Sequence, residues 1–288
     1  MENHNFLKNG VSQKNGIYFC ENDINKDLYA FNVNSKYKIY IDYEQKAIKN
    51  CLKRNLLPGK KCDFILDAGC GNGQFTKWFL NNTDAHVIAV DIVLKHLQDL
   101  QSYLEISKKR NNYKNRITLI HSDISRIPIK PDTCDIIWAC ECLFYSNNIG
   151  FSLNKIRQYL KQDGYLMNVE PNKTATMIRA LLNGNIESFI HINKFNKISD
   201  YLVGSEKCNS PQVIEKKFMK AVLKGNGYKF INSYGISIFP MLITFLLKNK
   251  KLDPYNLRLF KKEVFDILTN QPYSEDRSRV TIYESKKL

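Results

Sequence analysis

The chain has 288 residues, 43% hydrophobic and 25% charged, a balance that suits a protein folding around a core and excludes disordered and fibrous classes. Its formal charge of +15 raises nucleic acid as a partner, but 34 lysines against 9 arginines carry it, and bidentate phosphate recognition favours arginine. The opening MENHNFLKNG lacks a basic stretch followed by an apolar one, and the longest apolar run, 236 to 247, is broken by Pro240, so a cytoplasmic protein without a membrane span is expected.

In chain order, Tyr40, Tyr43, Ala47, Ile48, Cys51 and Leu52 share one face of a helix that should stop near LLPGK, 56 to 60. Residues 1–61 are read as an N-terminal helical segment, with Tyr29, Tyr37, Tyr40 and Tyr43 as candidates for a lid. From residue 62 short apolar runs alternate with helical patterns: DFIL (63 to 66), HVIAV (86 to 90), RITLI (116 to 120), DIIWA (135 to 139) and YLMNV (165 to 169). Such alternation predicts parallel strands covered by helices on both faces. The covering stripes are Phe75, Trp78 and Phe79, then Leu94, Leu97, Leu100 and Leu104, then Ile149, Leu153, Ile156 and Leu160.

After this core, 62–170, the apolar clusters TMIRALL (176 to 182) and IESFIHI (186 to 192) predict a helical cap insertion over 171–210. Residues 211–288 return to the core. They begin with a helix over 211 to 227 whose apolar face is Ile214, Phe218, Ala221 and Val222, followed by a strand at 228 to 235. A second cap insertion is placed at about 236–270 and a last strand at 279 to 287.

The chemistry-bearing segment is ILDAGCGNGQF, 65 to 75, where an aspartate and three alternating glycines join a strand to a helix. Glycines at 69, 71 and 73 let the backbone turn sharply and approach a ligand without a Cβ in the way, beside a helix N-terminus suited to negative charge. A dinucleotide fingerprint needs glycine or alanine at position 74, and Gln74 stands there, which removes the main support for an oxidoreductase.

ILDAGCGNGQF instead resembles motif I of the class I S-adenosylmethionine-dependent methyltransferases, an apolar strand followed by an acid and three alternating glycines. The remaining layout follows in register over roughly 62 to 170 and continues weakly to 288. Within the family the sequence is most similar to the small-molecule branch, type 11 or ubiquinone/menaquinone-methyltransferase-like. The resemblance implies a Rossmann-like α/β fold, with a seven-stranded, mostly parallel, doubly wound sheet and helical cap insertions. It also implies S-adenosylmethionine as cofactor and S-adenosylhomocysteine as product.

The cofactor positions it implies are Asp67, Ala68, Gly69, Cys70, Gly71 and Gly73 in the first motif. Asp91 would accept from both ribose hydroxyls, and Ile92 would pack on the adenine. Asp123 would accept from the adenine amino group, beside Ile124. Taken singly, the three acids also read as caps or strand-end residues; their order with the glycines favours cofactor binding.

Open α/β sheets bind ligands at the carboxyl ends of their strands, which draws attention to Cys140, Glu141 and Tyr145 after the fourth strand. Glu141 and Tyr145 are the candidate catalytic residues. Many relatives have histidine at the position of Tyr145, and tyrosine is the poorer base, so Tyr145 is read first as a hydrogen-bonding or shape residue. Glu141 reads equally as a cofactor contact or a cap. The eight cysteines show no paired CxxC spacing and no zinc pattern, so no metal is expected.

The expected acceptor is a small, partly apolar molecule methylated on oxygen or nitrogen, with specialised metabolism as one setting. An RNA acceptor, motivated by the charge, and a non-catalytic protein that keeps the cofactor fold are the alternatives. After the fourth strand there is ACEC in place of a D/N-P-P-Y motif, and there is no Pro-Cys dipeptide, which speaks against the corresponding base methylations.

Overall fold

The computed structural model describes residues 6–9, 11–20, 38–60, 62–107, 110–113, 115–146, 148–197, 202–203, 206–207, 212–238, 241–242, 245 and 278–288. Its centre is a sheet of nine strands among the described residues. In chain order they are β1 (Ser12–Lys14), β2 (Ile17–Phe19), β3 (Phe64–Ala68), β4 (His86–Asp91), β5 (Ile117–His121), β6 (Cys134–Cys140), β7 (Leu160–Pro171), β10 (Tyr228–Ser237) and β11 (Ser278–Lys287). A separate ribbon pairs β8 (Leu202–Val203) with β9 (Glu206–Lys207), inside the stretch expected to be wholly helical.

The spatial order is β1-β2-β5-β4-β3-β6-β7-β11-β10. Strands β2 to β7 run parallel, β1 and β11 run against them, and β10 pairs antiparallel with β11 and so regains the core direction. From β3 the chain winds outward through β4 and β5, then returns to β6 on the other side. The switch point therefore lies beside β3, at the carboxyl ends of β3 and β6, where this architecture binds ligands.

The expected count of seven strands is corrected to nine. The extra pair, β1 and β2, is a hairpin whose Asn15 and Gly16 both have positive φ, 51° and 78°. An Asn-Gly turn with both residues left-handed matches the right-handed twist of the strands it joins. That signal stands in the sequence, but strands of three residues carry too little alternation to display it.

The period-2 pattern explains both faces. Ile65, Val87, Ala89, Ile136 and Trp138 bury against the helices α1 (Lys38–Cys51), α2 (Gln74–Asn82) and α3 (Leu94–Ile106). Leu66, Ile88, Val90, Ile137 and Ala139 bury on the opposite face, with α5 (Ile149–Arg157) and α8 (Lys216–Gly225). Trp138 anchors α2, its ring centroid 5.0 Å from Phe75 and 6.1 Å from Phe79. Helix α1 continues into a π-helical turn, Leu52–Leu56, and one short helix, α4 (Arg110–Tyr113), precedes β5. Leu160, expected on the α5 stripe, is the first residue of β7.

Helices α6 (Lys173–Leu182) and α7 (Ile186–Phe195) follow β7, and asparagine starts each one. Asn172 Oδ1 accepts from Thr174 N and Ala175 N, and Asn185 Oδ1 accepts from Ser188 N. In α8 the buried stripe is Met219 and Leu223, whereas Phe218 is 45% exposed, so the expected face is rotated. The helix begins at Lys216, five residues past the expected start, because Val213 and Ile214 are spent on packing before it.

Tyr43, a lid candidate, is buried in the core. Tyr29, Tyr37 and most of the second cap insertion lie outside the described residues. No described helix is long and apolar enough to cross a membrane.

Candidate active site

Strand β3 delivers Asp67 and Ala68 to the switch point, and the chain then turns through Gly69, Cys70, Gly71, Asn72 and Gly73 into α2. All three glycines have positive φ: 71°, 52° and 77°. Their reasons differ. A Cβ at Gly69 would lie 2.6 Å from Cys142 Cβ, and one at Gly73 would lie 2.3 Å from Leu100 Cδ1, so both are needed for close packing. A Cβ at Gly71 would meet nothing within 4 Å, so the middle glycine faces open space. The turn is thus fixed at both ends and open in the middle.

The turn is tied to β4. Gly69 N and Cys70 N both donate to Val90 O at 2.9 Å, and Gly71 N donates to Asp91 Oδ2 at 2.7 Å. Asp91 Oδ1 accepts from Val93 N at 2.8 Å and lies 3.3 Å from His96 Nδ1. The hydrogen bond to Asp91 raises the pKa of His96. His96 is the third residue of α3, and nothing in its sequence position marks this contact. Two carboxylate oxygens offer about four lone-pair directions, so these three contacts leave acceptor capacity for a ligand hydroxyl.

Asp67 lies beneath the turn, where its Oδ2 accepts from Thr76 Oγ1 at 2.5 Å and holds the start of α2. Burial pushes its pKa up to about 7. Asp123 follows β5 and is half-buried; its Oδ1 accepts from Ser125 N at 2.8 Å and from Ser125 Oγ at 2.6 Å. Ile92 and Ile124 are half-buried in the segments after β4 and β5. Thus Asp91 is bonded to the glycine turn directly, while Asp123 is occupied on one oxygen by its own loop.

At the exit of β6, Glu141 has φ 49°, a left-handed backbone that side chains other than glycine rarely adopt. Its Oε1 accepts from Arg279 Nη2 at 2.8 Å, and the same guanidinium donates through Nε and Nη2 to both oxygens of Glu44. Glu44 comes from α1, Glu141 from the β6 exit and Arg279 from β11. Burial raises the pKa of Glu44, opposed by the charge of Arg279. Sequence reading missed this cluster because 235 residues separate Glu44 from Arg279.

Tyr145 closes a 3-10 turn, Leu143–Tyr145, and its ring centroid is 4.1 Å from that of Phe144. Cys70, Cys140 and Cys142 crowd the same region. Burial pushes all three thiols up, which keeps them protonated and unsuited to act as nucleophiles. Among the described residues no group of three or more His, Cys, Asp or Glu could hold a metal ion.

The sheet order, the glycine turn and its bond to the acid at the end of β4 are features of the Rossmann-like methyltransferase fold. Residues 66–168 match the type 11 family model, described as a methyltransferase domain. A malonyl-[acyl-carrier protein] O-methyltransferase of Nitrosospira multiformis is 26% identical over 158 residues, 50% of this chain and 51% of that protein. The chain spans about half the length of the curated relatives it matches.

Among solved structures, an S-adenosylmethionine-dependent methyltransferase of Listeria monocytogenes superimposes with a TM-score of 0.56 at 14% identity. The match covers 85% of this chain and 99% of that one. The 1,6-didemethyltoxoflavin-N1-methyltransferase of Burkholderia thailandensis, solved with S-adenosylhomocysteine, gives 0.54 at 14% identity, covering 86% and 80%. These two likenesses establish the fold.

Proposed function

We propose that this chain transfers a methyl group to an oxygen or nitrogen of a small, partly apolar acceptor. The observation that carries the reading is the bond from Gly71 N to Asp91 Oδ2 at 2.7 Å, beside a glycine that faces open space. A carboxylate with remaining acceptor capacity for a sugar hydroxyl, next to backbone that a ligand can approach closely, supports a nucleoside ligand at this point. S-adenosylmethionine supplies a methyl group on a sulfonium centre.

In this reading Asp91 holds the ribose and Ile92 packs on the adenine. Asp123, through its oxygen not used by Ser125, accepts from the adenine amino group beside Ile124. Ala68, Gly69, Cys70, Gly71 and Gly73 cradle the rest of the cofactor, and Asp67 fixes their helix. Cys140 borders the cofactor where β6 ends. Glu141 and Tyr145 face the acceptor from that strand's exit, and the helices α6 and α7 form the cap over it. Alignment of the reactants and exclusion of water supply much of the acceleration for such an in-line displacement. The names of the curated relatives support oxygen as the methylated atom.

Incubation with methyl-labelled cofactor and, in parallel, a cellular small-molecule extract and total cellular RNA, followed by mass spectrometry, tests the reading. A labelled small molecule is expected; label found only in RNA would overturn the acceptor class. The +15 charge motivates that second reading, and filter binding at varied salt separates the two, because extensive phosphate contact must weaken steeply with salt.

A further inference from the structure

Asn168 and Glu170 stand two residues apart on one face of β7, and neither is exposed at all. Asn168 Nδ2 donates to Glu170 Oε1 at 3.2 Å. The other oxygen of each group, Asn168 Oδ1 and Glu170 Oε2, is buried without a hydrogen-bond partner among the described residues. Two orphaned acceptors in neighbouring side chains are costly in a low-dielectric interior. Turning the amide over cannot cure this, because a carboxylate presents two acceptors to a group with one donor end and one acceptor end. A single proton on Oε2 does cure it, since the acid O–H can then donate to the amide oxygen while the amide N–H donates to Oε1.

The surroundings agree. Among the described residues no cation pairs with Glu170, since Arg279 is committed to Glu44 and Glu141. The ionisable neighbours are Glu141 and Cys142 from the β6 exit, and Tyr283, which lies opposite Asn168 on β11. From α8 comes Met219, whose Sδ is 3.9 Å from Asn168 Nδ2. Burial raises the pKa of Glu170 well above the carboxylate range, and the charge of Glu141 pushes the same way. Next to Glu170, Val169 O accepts from Glu141 N at 2.9 Å, so the stretch of β7 that carries Glu170 is tied to the β6 exit from which the Leu143–Tyr145 turn follows.

We propose that Glu170 is a neutral carboxylic acid at pH 7, closed into an acid–amide ring with Asn168, and that it is the positioning residue for the Leu143–Tyr145 turn. The ring stands independently of the proposed function. The positioning role rests on that reading, because it acts through Tyr145 at the acceptor side.

Infrared difference spectra between the full-length parent and Glu170→Gln at neutral pH test the ring. The carboxylic-acid C=O band should be present in the parent, shift in D2O and vanish in the variant; a difference confined to carboxylate bands would overturn the ring. Gln can rebuild the ring by donating from Nε2 to Asn168 Oδ1, so Glu170→Gln should retain kcat and KM. Glu170→Leu should lower kcat at least about tenfold with S-adenosylhomocysteine affinity unchanged. A folded Glu170→Leu protein with the parent's kcat would overturn the positioning role, and if that variant fails to fold the infrared comparison still decides the ring. The band present without methyl transfer by the parent would support the ring and overturn the functional reading.

Discussion

Two glycines of the same turn should fail in opposite ways when replaced by alanine. At Gly73, with φ 77°, the new Cβ falls 2.3 Å from Leu100 Cδ1 and 2.6 Å from Cδ2, against the roughly 3.5–4.0 Å of a carbon contact. Leu100 is fully buried and has nowhere to retreat. Overpacking costs about 1–3 kcal/mol and the left-handed backbone about 1–2 kcal/mol, together about 2–5 kcal/mol. In a chain of this size that lowers Tm by roughly 5–15 °C. At Gly71 the Cβ meets nothing within 4 Å, so only the backbone term of about 1–2 kcal/mol remains. Its methyl group, however, enters the space assigned to the cofactor and should weaken S-adenosylhomocysteine binding at least about tenfold. Thermal unfolding of the free protein and calorimetric titration on both variants check this pairing. Gly71→Ala that binds like the parent, or Gly73→Ala with an unchanged Tm, would refute the division of roles.

Three further outcomes follow from the site. Arg279→Met leaves Glu44 buried without its cation and should cost about 3 kcal/mol in urea denaturation; Glu44→Gln added to it should recover much of that loss, and a single-variant effect below about 0.5 kcal/mol would contradict the buried pairing. Asp67 has its pKa raised from 3.8 to about 7, so its folded form favours the proton. Its contribution to stability is therefore fully present below about pH 4 and lost as pH rises through about 7. Asp67→Asn should flatten that part of the free protein's stability profile, and parallel urea midpoints for parent and variant across this window would count against it. Tyr145→Phe should lower kcat with the acceptor found by label transfer and leave cofactor affinity untouched; a raised cofactor Kd would move Tyr145 to the other side of the site.

The parallel core was legible because its signals are local and repeated. HVIAV sits within β4 and DIIWA within β6, since strands buried on both faces read as unbroken apolar runs. The glycine turn was legible for the same reason: three residues at fixed spacing between a strand and a helix. The β1–β2 hairpin escaped because each strand has only three residues. Helix α8 was placed, but its buried face was not, since Phe218 and Met219 are adjacent and either could lead a stripe. Electrostatic partners were the least legible. Glu44, Glu141 and Arg279 meet only because α1, β6 and β11 converge, and the Asn168 and Glu170 pair lay within a segment that reads simply as a strand. His96 shows the same limit, since one helical position looks like another until the neighbouring carboxylate is placed.

The central claim is that the Gly71 and Asp91 junction binds a nucleoside sulfonium cofactor. Isothermal titration of the purified protein with S-adenosylhomocysteine tests it most directly. One site per chain is expected, with Asp91→Ala weakening binding at least about tenfold in a protein that still unfolds cooperatively. No heat of binding by the folded parent, or an Asp91→Ala isotherm superimposable on it, would contradict the account.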